Sequence, residues 1–81
     1  MNPEIEKAVG ANIKRLREKA GLTQENLAAK LQIEGCDIRR SAVAKIEVGQ
    51  RHIYPDELIL LKKILRTEYD DLLNTDRSSF Q

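Results

Sequence analysis

Residues 21–49 read GLTQENLAAKLQIEGCDIRRSAVAKIEVG, and the punctuation of this stretch decides the fold. The Thr23 hydroxyl can accept from the backbone N–H groups that open a helix, so a helix starts at Gln24 and runs to about Glu34, with Gly35 available for the left-handed closing residue. A further helix covers roughly Arg40–Val48 and is ended by Gly49. The same signals recur on either side. Upstream, Asn2 caps a helix with Pro3 at its first position and Glu4 in its first turn, and Gly21 closes it after Ala20. Downstream, Pro55 fits the first turn of a helix lasting to about Leu65, and Thr67-Glu68-Tyr69-Asp70 has the form of a capping box opening a short fifth helix. No run of four or more residues alternates β-branched and polar side chains, so no strand is expected. The chain reads as an all-α domain of five short helices over residues 1–73, followed by a flexible tail at 74–81.

Composition narrows the function. A chain of 81 residues can build one small core with little room beside it for a deep enzyme pocket. There is no GxGxxG or GxxxxGK[ST] phosphate loop and no grouped Ser/His/Asp, Cys/His or carboxylate constellation, so no enzymatic activity and no cofactor are expected. One Cys and one His cannot make a four-ligand zinc site or an internal disulfide, so no metal is expected either. The longest apolar run, Leu58-Ile59-Leu60-Leu61, is far short of a bilayer span, and MNPEIEKA is too acidic and polar for a signal peptide. The expected setting is the cytoplasm, with no membrane partner and no evident small-molecule ligand. A binding module is the remaining class.

The formal net charge of +1 hides an uneven distribution. Residues 12–19 and residues 39–51 each carry a net +3, whereas residues 66–76 carry −3. Charge alone fits either a basic surface for an anionic partner or ordinary solvated helix faces. Helical spacing adds geometry. At about 100° per residue, Ile5, Val9, Ile13, Leu16 and Ala20 fall within roughly 80° on the first helix, and Arg17 lies about 40° beyond Ile13. On the third, Ala42, Val43 and Ile46 point inward, with Glu47 about 40° past Val43. A guanidinium at a core margin needs a planar acceptor, so Arg17 and Glu47 are expected to pair and tie the first helix to the third; the alternative is two independent surface charges. The outward face of the third helix holds Arg40, Ser41, Ala44, Lys45 and Val48. Small side chains flanked by cations would let this helix enter a DNA major groove, and a solvated face is the plainer reading of the same residues.

The surrounding residues favour the first reading. The string Leu22-Thr23-Gln24-Glu25-Asn26-Leu27-Ala28-Ala29-Lys30-Leu31, followed by Ile46-Glu47-Val48-Gly49, resembles the helix-turn-helix domain of phage repressor and Cro-type (XRE-type) regulators. The likeness covers about residues 5–73 and implies a five-helix, lambda-repressor-like DNA-binding domain whose third helix reads the major groove of double-stranded DNA. By position, it implies that Gln24 touches phosphate or a base edge at the groove's rim. Arg40, Ser41, Ala44 and Lys45 fall where bases are read, Arg51 where phosphate is bound, and Arg17 and Glu47 where the family keeps a buried pair.

Departures from the family pattern carry expectations of their own. The turn Gln32–Arg39 is about five residues longer than the common form, which leaves the angle of the third helix open. Arg39 replaces a usual Ser or Thr cap; either Arg39 reaches a phosphate or Asp37 supplies the cap. Arg66 replaces a customary Gly after the fourth helix, and Val48 a customary polar residue. Cys36 reads as a small, partly buried apolar residue rather than a redox sensor, since no second Cys is present. His52 reads as a phosphate contact or a surface loop residue, and Tyr54 as a cover for the end of the core. On the fourth helix Leu58, Leu61 and Leu65 form the central stripe, widened by Leu60 and Ile64, with Ile59 about 100° outside it. That excess suggests a homodimer through the fourth and fifth helices. The expected function is a sequence-specific transcriptional regulator, a repressor of phage or mobile-element type. The competing reading is an antitoxin-like or anti-repressor interaction module that keeps the fold without reading DNA.

Overall fold

A computed structural model describes residues 2–75 and contains five helices among them: α1 (Pro3–Lys19), α2 (Gln24–Ile33), α3 (Arg40–Glu47), α4 (Pro55–Leu65) and α5 (Tyr69–Leu73). No strand occurs among the described residues. Asn74 and Thr75 are non-helical, and the rest of the expected tail lies outside the described residues.

Local chemistry sets the boundaries. The Asn2 side chain accepts from the Glu4 and Ile5 N–H groups, and Thr23 and Asn26 exchange reciprocal bonds of 2.9 and 3.0 Å at the start of α2. Each of the first four helices closes by one backbone device. An N–H beyond the helix returns to a carbonyl five residues earlier: Leu22 to Arg17, Cys36 to Leu31, Gln50 to Lys45 and Thr67 to Lys62, at 2.8–3.2 Å. This closure needs one left-handed residue, supplied by Gly21, Gly35 and Gly49 in three cases and by Arg66, at φ 53°, in the fourth. A non-glycine residue there costs roughly 1 kcal/mol.

The core is built from one side of every helix. Ile13, Leu27, Leu31, Val43 and Leu72 are the most deeply buried apolar side chains, joined by Ile38 from the turn between α2 and α3. Helix α1 packs against α3 and α5, and α2 against α3 and α4. The α1–α3 approach depends on Gly10, where an added Cβ would overlap the Ile46 carbonyl oxygen. Asn12 holds α5 in place: its buried Nδ2 donates to the Leu72 and Asn74 carbonyls, 2.9 Å each, while its Oδ1 accepts from Arg15 Nη1.

Three expectations about the periphery are corrected. Ile5 is 47% exposed and Ala20 is exposed, because both lie at the ends of α1, beyond the helices that cover Val9, Ile13 and Leu16. Tyr54 is 56% exposed, and Ile53 packs on the core in its place. Thr67 does not cap α5: its N–H is used to close α4, its hydroxyl lies 3.4 Å from Asp71 Oδ2, and Glu68 stands at the cap without a side-chain bond.

Candidate nucleic-acid interface

Helix α3 is positioned by what lies beneath and before it. Val43, Ile46 and Glu47 are buried and Ala42 is half-buried, so the inward arc is fully used. The lengthened turn does not run over the outer face. Ile38 is sunk into the core, Cys36 is half-buried, and Gln32 Nε2 donates to the Ile38 carbonyl at 2.9 Å. Arg40, Ser41, Lys45 and Val48 are therefore exposed, with Ala44 half-buried between them. Arg39 stands exposed at the start of α3 and makes no side-chain cap, and no bond from Asp37 replaces it. None of Arg39, Arg40, Ser41 and Lys45 has a side-chain hydrogen bond or ion pair with the described residues. The result is a narrow helix edge with three uncommitted cations and a small residue at its centre.

Behind this edge lies a three-residue cluster. Arg17 and Glu47 face each other in a fork, Nε to Oε2 at 2.6 Å and Nη2 to Oε1 at 3.1 Å, with both side chains nearly excluded from water. Arg17 Nη1 also donates to the Leu22 carbonyl at 2.7 Å, which satisfies the guanidinium on a second side. The hydrogen bond to Glu47 pushes the Arg17 pKa upward against the effect of burial, so this charge is permanent. Gln24 joins them, donating from Nε2 to Glu47 Oε1 at 2.9 Å. The residue expected at the groove's rim is thus held by the buried carboxylate, half-buried itself.

Arg51 departs from the simple expectation of a free phosphate ligand. Its Nη1 and Nη2 donate to the two Glu57 oxygens at 2.9 and 3.0 Å, Nη1 also donates to the His52 carbonyl, and the guanidinium lies 5.7 Å from the centre of the Tyr54 ring. A cation neutralised by a buried carboxylate attracts a phosphate far less than a free one. Burial opposes ionisation of Glu57, but the Arg51 fork and the Tyr54 N–H outweigh it and hold the carboxyl below the usual range. His52 Nδ1 lies 2.7 Å from Glu6 Oε1, tying the same loop to α1. Burial, followed by the nearby Glu57 and Asp56 charges, pushes the Cys36 thiol up, which makes it a poor nucleophile.

The roles of Asn12, Gly10 and Glu57 are not read from the sequence. Asn12 and Gly10 flank the apolar stripe of α1 at helical spacing, just as Arg17 does, and a polar or minimal residue at a stripe margin is the available signal. Glu57 stands three residues after Tyr54, where a carboxylate can reach back to a helix's first N–H. Among the described residues no group of His, Cys, Asp and Glu could hold a metal ion, and no helix is long and apolar enough to cross a membrane.

Comparison with known proteins agrees with this architecture. A family model described as helix-turn-helix matches residues 13–72, well over half of the chain, from the middle of α1 to the last turn of α5. No curated protein and no solved structure matches the chain significantly.

Proposed function

The chain belongs to the helix-turn-helix family of DNA-binding regulators, of the XRE type, and from that premise we propose that it is a sequence-specific repressor acting in the cytoplasm by occupying its site on double-stranded DNA. The observation that carries this reading is the outer face of α3, exposed and cation-edged with no partner among the described residues. In the proposed complex α3 enters the major groove. Arg40 and Lys45 reach base acceptors, while Ser41 and Ala44 let the backbone come close. Arg39 contacts phosphate, and Gln24 meets the rim with the amide hydrogen that Glu47 leaves free. Arg51 contributes mainly by holding the loop after α3, and any phosphate contact must use the N–H groups that Glu57 and His52 do not take.

The resemblance to phage repressors and Cro supports the repressor assignment and a mobile-element setting. The apolar side chains still exposed on the last two helices, Ile59, Tyr69 and Leu73, support a homodimer through α4 and α5. Selection of binding sites from random duplexes, followed by sequencing, tests the proposal. An inverted repeat is expected, and recovery of no preferred sequence would overturn it. With about six phosphate contacts, affinity should fall on the order of a thousandfold between about 50 and 200 mM salt. The competing interaction module draws support from the near-neutral net charge of +1 and from that exposed apolar surface. Retention on a mixed-DNA column separates the two, since a module without DNA readout would elute at low salt.

A further inference from the structure

A second basic feature lies between α1, α2 and the α4–α5 junction. A groove of about 840 Å³ runs between the end of α1, α2 and the α4–α5 junction. Its sides carry Arg15, Lys19, Lys30 and Arg66, and Leu16, Leu22 and Ile64 form its apolar floor. Arg15 and Lys19 point roughly 140–180° around α1 from Gly10, the residue against which α3 is packed. Arg15 and Lys19 and the residue that carries α3 therefore lie on opposite sides of α1.

The four cations lack carboxylate partners among the described residues. Lys19, Lys30 and Arg66 make no side-chain hydrogen bond or ion pair with the described residues, and Arg15 is bonded only to the neutral amide of Asn12. Arg66 is presented by the left-handed closing turn of α4. Charge in this arrangement surrounds an apolar floor, so a fitting ligand must be anionic on its flanks and apolar along its middle. A phosphate backbone is charged throughout and has no face for that floor; Glu68 and Asp71, which also line the groove, lower the charge of its lining from +4 to +2, which still favours anionic flanks.

We propose that this groove docks an acidic amphipathic helix of another protein, with apolar anchors on the floor and carboxylates paired to Arg15, Lys19, Lys30 and Arg66. The site is independent of the DNA reading. On α4 it also differs from the side offered for dimerisation, because Ile64 lies about 140° around that helix from Ile59.

The test is an amide chemical-shift titration of the full chain with a short synthetic helix bearing leucines at i, i+3, i+4 and i+7 and glutamates on both flanks. Shifts confined to Leu16, Ala20, Leu22 and residues 64–67 are expected, absent when lysines replace the glutamates. Lys30→Glu with Arg66→Glu, both exposed and unpaired positions, should weaken the peptide by about tenfold or more and leave duplex binding within about twofold. Shifts on the face of α3 alone, or unaltered affinity in the reversed variant, would overturn the proposal. So would a duplex that moves the groove signals, or groove signals that move with concentration of the chain alone, since these make the occupant DNA or a second copy.

Discussion

Glu47 accepts from Arg17 twice and from Gln24 once while being almost wholly buried, so it joins the core to the rim of the proposed interface. Removing the carboxylate strands a permanent charge. Glu47→Ala is expected to destabilise the fold by about 3 kcal/mol in urea unfolding, and a loss within about 0.5 kcal/mol of wild type would show that the pair contributes little. Glu57 allows a test by pH. Its folded pKa is depressed, so its contribution is present above the unfolded value near 4.5 and is lost as pH falls through the folded value. Glu57→Gln should be less stable than wild type at pH about 7, and its further loss on going to pH about 3 should be smaller. Parallel loss in the two proteins would exclude Glu57 as an acid-sensitive group.

At the level of the element, α3 combines two unlike faces in eight residues: a buried one that fixes it to α1 and α2, and an exposed one whose cations have no partner among the described residues. Base readers and phosphate binders on such a helix separate by substitution. Lys45→Ala should cost about 1–3 kcal/mol on the preferred duplex and relax the sequence preference, whereas Arg39→Ala should weaken all duplexes about equally and lower the salt slope by about one. If Lys45→Ala lowers affinity for every sequence alike, Lys45 binds phosphate. Helix limits such as Thr23, Gly35 and Gly49 were legible because capping and closing are settled within a few residues of chain. The exposed face of α3 was legible for a similar reason, as the complement of Val43 and Ile46. Partners chosen by tertiary approach were harder to read. Nothing near Asn12 points to carbonyls 60 and 62 residues away, and the fork that occupies Arg51 depends on how the loop turns back onto α4. The lengthened turn leaves the placement of α3 open in the sequence, and the burial of Ile38 anchors it.

Across the whole molecule, the proposed functions fall on different sides of a small helical bundle. The exposed apolar side chains of α4 and α5 bear on assembly: Ile59→Glu is expected to convert a dimer to a monomer in sedimentation at about micromolar concentration, with the fold retained because Ile59 is 57% exposed. A wild-type chain that already sediments as a monomer would remove the dimer from the account. Asn12 has a practical consequence for anyone joining this chain to another. By gripping the Leu72 and Asn74 carbonyls it fixes the exit of the chain on the flank of α1 about 160° from Gly10, away from the surface offered to a duplex. A fluorescent protein or purification handle spliced on directly after Thr75 would set out from that flank of α1.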